Sequence, residues 1–266
     1  MEIVGYIASL LIGVSLGLIG GGGSILTVPV LVYLFRLNPV LATSYSLFVV
    51  GSTSMVGAVS HYRKGLVHLK AALAFGAASI ATVFITRKFI VPSIPVNLGT
   101  VEGFTITEPL VMMVLFAVLM LLASLSMIRN RATAAHAEEG PEEGTHLAKL
   151  LAFGITIGLV TGLLGAGGGF LLIPALVFLV KLPMKKAIGT SLLIIALNSL
   201  IGFIGDLGHF QVDWWFLFRI TTIATAGIFL GGIIGKKLPG EKLKKGFGWF
   251  VLLMGVYIIL REVVLK

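Results

Sequence analysis

Two runs of small residues carry the least ordinary chemistry in this chain. Gly20-Gly21-Gly22-Gly23-Ser24 and Gly165-Ala166-Gly167-Gly168-Gly169 each follow about 17 apolar residues and precede about 12 more, which end at Arg36 and Lys181. Glycine costs roughly 1 kcal/mol per residue in a helix, so four together predict a break. A break leaves the N–H groups of the next segment free and exposes the positive end of its dipole. Two such ends aimed at one place would hold a small anion. Ser46 and Ser191 stand at matched positions in the segments that follow, with Thr190 beside Ser191. Their hydroxyls can bond an oxyanion without fixed charge, although in membranes they more often bond back onto their own helix. Asn198, with Ser199, matches Thr53 with Ser54. An Asn at mid-span either bridges helices or meets substrate. Arg219 lies about 9 Å from the end of its span at 1.5 Å per residue, and either snorkels outward or guides an anion.

Other chemistry is missing. The chain has no HExxH, no phosphate-binding Walker loop and no nucleophile elbow, so catalysis is not expected. His61, His68, His136, His146 and His209 fall at span ends or in loops without metal-ligand spacing, and cysteine is absent, so neither metal nor cofactor is expected. The eleven acids also lie at span ends or in loops, which leaves no carboxylate relay of the usual mid-span kind.

The elements that position these residues are membrane helices. Of 266 residues 57% are hydrophobic and 12% charged, and the mean hydropathy is +1.07. So few charges cannot cover a soluble surface, so the expected solvent is lipid. The +9 net charge does not indicate nucleic acid, because the basic residues cluster between apolar runs, where juxtamembrane charges belong. Spans are expected near 3–36 (interrupted), 40–61, 67–91, 109–128, 147–180 (interrupted), 186–205, 214–235 and 246–264. The polar stretch 129–146 reads as a linker, and 92–108 as a loop near the interface.

Sliding the chain by 145 residues aligns Gly13 to Val50 with Gly158 to Ile195 without a gap, and about 15 of the 38 pairs are identical. The expected division is therefore 1–128 as a first membrane repeat, 129–146 as a cytoplasmic linker and 147–266 as a second repeat. The arm from Ser24 to Phe35 is about 18 Å long, too short for a core of about 30 Å. Either the helix breaks and continues, or it turns back at the glycines. Turning back puts 14 basic residues on one face and 5 on the other, Arg87 among the 5, whereas continuing divides them 11 against 8. The positive-inside rule favours the hairpin, with both termini outside and the linker inside. Parity alone also allows two full crossings by the hairpin arms. Gly13/Gly17 and Gly158/Gly162 have the spacing of close helix packing, and that is the role expected of them.

The paired motifs GLIGGGGSILTVPVL and GLLGAGGGFLLIPAL, each followed by A-x-x-x-S-L, resemble those of the TauE/SafE family of membrane permeases. The resemblance covers both halves and implies export of sulfite or organosulfonates, or transport of related sulfur anions. Residue by residue it points to Gly20, Gly21, Gly22, Gly23 and Ser24, to Gly165, Ala166, Gly167, Gly168 and Gly169, and to Ser46 and Ser191. Ala166 departs from the pattern, standing where the first run has Gly21. The expected fold is an all-α polytopic membrane protein of two inverted repeats, each a glycine-tipped hairpin plus three transmembrane helices. The expected activity is export of a small sulfur oxyanion across the plasma membrane by alternating access. Leaving an inside-negative cell is downhill for an anion by about 2.3 kcal/mol per charge per 100 mV. The rivals are a proton-coupled uptake carrier and, from another class, an intramembrane enzyme or assembly protein. The expected partners are the anion and the bilayer, with a homodimer left open and nucleic acid excluded.

Overall fold

The computed structural model of the chain describes residues 2–101, 104–129, 146–234 and 240–264. In the first half α1 (Glu2–Ile19) passes through Gly20 and Gly21 into a 3-10 turn, Gly22–Leu26, and a short α2 (Thr27–Tyr33). Then come α3 (Pro39–Arg63), α4 (Leu69–Ile85) and α5 (Glu108–Arg129). The second half repeats the order with α6 (His146–Leu164), α7 (Gly169–Leu179), α8 (Met184–Asp206), α9 (Trp214–Ile234) and α10 (Gly240–Ile259). Among the described residues six helical stretches are long and apolar enough to cross a membrane, and they lie in α3, α4 with its extension, α5, α8, α9 and α10 with the π-helical turn Leu260–Val264 that follows it. Residues 130–145, which make up most of the expected linker, lie outside the described residues.

Local sequence explains where the helices start. Asn38 caps α3 by accepting from the Val40 N–H at 2.9 Å, with Pro39 in the first turn, where its missing N–H costs nothing. His68 caps α4 by accepting the Ala71 N–H at 3.1 Å.

The first glycine run turns the chain back. Phe35, just beyond α2, lies against Gly5 near the start of α1, and its ring meets Tyr6 edge-on at 5.6 Å. The broken-and-continuing helix is thereby ruled out for the first half. Both return arms stop in the same way. Arg36 and Lys181 take left-handed backbones, φ 58° and 54°. Beyond them the N–H of Leu37 reaches the Leu31 carbonyl at 3.1 Å, and that of Leu182 reaches Leu176 at 3.2 Å. Each bond reaches six positions back, one more than the closing bond of a Schellman ending, and the left-handed position is not the usual glycine.

The halves interlock through glycine contacts. Gly13 faces Ala224 and Gly17 faces Ile228, so α1 runs parallel to α9. In the same way Gly158 faces Ser79 and Gly162 faces Thr86, so α6 runs parallel to α4 and its extension. A Cβ on any of these four glycines would strike a neighbouring helix, so the expected packing role is the observed one. Gly51 faces Leu200 while Gly57 faces Leu192, which makes α3 antiparallel to α8. α5 and α10 are antiparallel too, since Gly248 faces Ile128 and Gly255 faces Leu121. The 145-residue shift carries one set of contacts onto the other: Gly57 meets Leu192 and Ile228, and Gly202 meets Leu47 and Val83.

The segment 92–108 is more ordered than the loop expected of it. Asn97–Val101 (β1) pairs antiparallel with Phe104–Thr107 (β2). Ile106, Thr105 and Thr107 supply the β-branched residues that such a ribbon favours. α4 also runs past Ile85, through a π-turn at Thr86–Ile90 and a 3-10 turn at Val91–Ser93.

Candidate functional site

The two glycine tips meet. The backbones of Gly21 and Gly169 touch so closely that a Cβ on either would overlap the other. In this conformation the expected seat for an anion between them is closed at that point. Behind Gly21, Ser24 donates its hydroxyl to the Gly21 carbonyl at 2.8 Å, and Gly20, at φ 82°, abuts Ile188 on α8. Gly22 opens the 3-10 turn, Gly23 packs on Ser15 and Leu16 of α1, and a short α2 with Pro29 at its third residue follows. That proline lies in the first turn of α2, where its missing N–H costs no intrahelical bond.

The second tip is wound more tightly. Gly165, Gly167 and Gly168 all have φ near +66°, a region that β-carbons disfavour. Among the described residues the N–H groups of Ala166, Gly167 and Gly168 have no backbone acceptor outside regular helix. Ala166 is buried in a core cluster with Leu16, Leu26 and Leu164. The departure from glycine at this position therefore fills space and does not loosen the tip. Gly165 packs on the backbone of Thr43, and Ser46 donates its hydroxyl to the Gly165 carbonyl at 2.8 Å. A Cβ on Gly167 would lie 2.9 Å from Val50 Cγ1 and 3.2 Å from Ser199 Oγ.

The other residues singled out from the sequence divide by what they touch. Ser46 is brought to a tip. Ser191, its counterpart, donates to the Ile188 carbonyl in its own helix at 2.9 Å. Thr190 accepts the backbone N–H of His68 at 2.9 Å and so ties α8 to the start of α4. Asn198 bridges helices: its Nδ2 donates to Ser79 Oγ at 2.6 Å, while its Oδ1 has no partner. Arg219 is not brought to the tips. It is exposed on α9, its guanidinium 5.5 Å over the Trp215 ring, in an open groove of about 490 Å³ shared with Tyr6 and Phe218.

The structure also corrects the reading of two charges. Arg87, counted among the charges of the outer face, is buried, and its Nη1 donates to Thr43 Oγ1 at 3.0 Å and to Asp206 Oδ2 at 3.1 Å. Asp206, read as one of the acids at span ends or in loops, is buried with it. Arg87 beside Lys88 looks like an ordinary basic pair at a membrane edge, and Asp206 before Leu207-Gly208 looks like an ordinary helix end. Nothing in either neighbourhood announces a partner 119 residues away.

The profile of the family described as Sulfite exporter TauE/SafE matches residues 6–258 of this chain. A probable membrane transporter protein of Xylella fastidiosa is 33% identical over 255 residues, covering 95% of this chain and 92% of its own length. The probable membrane transporter protein YunE of Bacillus subtilis is 25% identical over 271 residues, with 95% of each chain covered. One from Methanocaldococcus jannaschii is 23% identical over 97% of this chain and 94% of its own. No solved structure matches the chain.

Proposed function

The chain belongs to the Sulfite exporter TauE/SafE family of membrane proteins, and from that premise we propose that this membrane transporter exports a small sulfur oxyanion, sulfite or an organosulfonate, by alternating access. The observation that carries the reading is the backbone contact of Gly21 with Gly169. Two broken segments from different halves converge there, and unwound backbone at membrane depth survives only inside protein or beside a polar cavity. Donors without backbone acceptors at Ala166, Gly167 and Gly168 suit an anion once the tips part.

The halves are proposed to be inverted repeats, 1–128 and 147–266, that rock about the tips. The antiparallel pairing of α3 with α8 and of α5 with α10 supports inversion, because equivalent helices then run in opposite directions. The orientation follows from charge. With Arg87 buried, the bias of 14 basic residues against 5 becomes 14 against 4, which favours a cytoplasmic linker and outward termini.

Proteoliposomes loaded with radiolabelled sulfite test the activity. Saturable efflux, driven by an outside-positive potential and carrying current without a lumenal pH change, is expected. Sulfite movement that requires a proton gradient would transfer the reading to the coupled carrier. No saturable movement of sulfite, thiosulfate or taurine in active protein would remove the substrate class altogether.

A further inference from the structure

Arg87 and Asp206 form a buried ion pair that the internal repeat does not reproduce. The 145-residue shift places Gly232 at the position equivalent to Arg87, His61 at that of Asp206 and Ile188 at that of Thr43. The surrounding helix contacts nevertheless form in both halves: Gly162 on Thr86 is matched by Gly17 on Ile228 and Gly232, and Gly202 on Val83 by Gly57 on Ile228. The helix contacts that the two halves share therefore do not by themselves call for the pair.

The pair is also incompletely bonded. A guanidinium offers five N–H donors in a planar fork, and its usual grip on an oxyanion uses two nitrogens at once. Here Nη1 alone serves both Thr43 and Asp206, while Nε and Nη2 have no partner although Arg87 is only 1% exposed. Unpaired donors on a buried cation are costly, which points to a ligand at that edge. The buried hydroxyl of Thr86, the residue before Arg87, is equally unpartnered, and Ser44 lies beside the Asp206 carboxylate.

The position is at the second tip. Thr43, which accepts from Arg87, lies with its carbonyl against Gly165, and Thr86 packs on Gly162 one turn below. Arg87 itself sits in the π-turn Thr86–Ile90, the kind of local widening that recurs at functional sites.

We propose that Arg87 is the cation that recognises the transported anion: its Nε–Nη2 edge takes two oxygens of a small oxyanion, while Asp206 holds Nη1 and neutralises the guanidinium when the anion is absent. This rests on the small-oxyanion reading above. It adds a fixed charge to a site otherwise built of backbone and hydroxyls, and it places that charge on one side of the pseudo-symmetric pair of tips.

The test is sulfite-dependent thermal stabilisation of the purified protein, which follows binding by mass action. The wild type gives the reference half-saturation, and Arg87→Gln is expected to abolish the shift. Arg87→Lys, which keeps charge but loses the fork, should weaken binding about tenfold. Asp206→Asn should lower the melting temperature without ligand and yet bind sulfite several-fold more tightly, because a competing negative charge is gone. A structural strap would not produce that opposite movement. Arg87→Met with Asp206→Leu guards against misfolding, since an apolar pair of similar size often preserves stability. That double variant should fold and show no sulfite shift. If it keeps the wild-type half-saturation, the pair is a strap and the inference is wrong. If the wild type itself is not stabilised by sulfite, thiosulfate or taurine, the substrate class fails first and this inference with it.

Discussion

Hydroxyls that look equivalent by position do different work because their partners differ. Ser46 bonds a carbonyl of the opposite hairpin, whereas Ser191 bonds its own helix three residues back. Ser46→Ala leaves the buried Gly165 carbonyl without that donor, at about 1–3 kcal/mol. Ser191→Ala removes a local bond whose acceptor already serves the helix. The first should lower the melting temperature by several degrees and the second by less than half as much, measured in the same detergent. Equal losses would mean that the tip does not depend on the Ser46 bond. Arg219 gives a second contrast. Its charge rests on Trp215 at the exposed face of α9, far from Gly21 and Gly169 in its contacts. Arg219→Gln should therefore leave the half-saturation for sulfite within about twofold, by the small energies of exposed cation–π pairs. A rise of tenfold in a well-folded variant would instead assign it to guiding the anion.

The hairpin tips respond to volume as elements. Gly21→Ala and Gly169→Ala each put a methyl into the opposing backbone. Either change should push the tips apart at about 1–3 kcal/mol, the usual cost of overpacking. Because both act on one contact, the double variant should cost less than the sum of the two. Gly76→Ala in α4 is the control. Its added Cβ has 3.8 Å of room to Ile80 Cδ1, so better helix propensity should leave stability unchanged or raise it by up to about 1 kcal/mol. Gly167→Leu is a poor probe of binding. Its φ of +66° and the closeness of Val50 mean that it strains the fold whether or not an anion binds there.

For the whole molecule the question is which way it sits in the bilayer. The chain has no cysteine, so single introduced thiols report cleanly. Lys64 is exposed at the turn after α3, and Gln211 is exposed in the loop before α9. With the termini outside, Gln211→Cys should react with an impermeant maleimide in intact cells, and Lys64→Cys only after lysis. The reverse pattern would invert the molecule and leave its internal packing untouched.

Much of this architecture was legible before any coordinates. Runs of apolar residues fix where helices can lie in lipid, and a glycine quartet breaks a helix wherever it stands, because both effects are local to the backbone. The internal repeat was visible for the same reason, since it is a comparison of the chain with itself. Hydropathy cannot report which surfaces touch. The meeting of Gly21 with Gly169, the reach of Ser46 to Gly165, and the burial of Arg87 with Asp206 arise between residues more than a hundred positions apart. A charge flanked by apolar residues reads the same at a membrane edge and inside a bundle. Only the packing of α3, α4 and α8 around Arg87 decided that it faces protein and not water, since low polarity around a guanidinium is set by its neighbours in space.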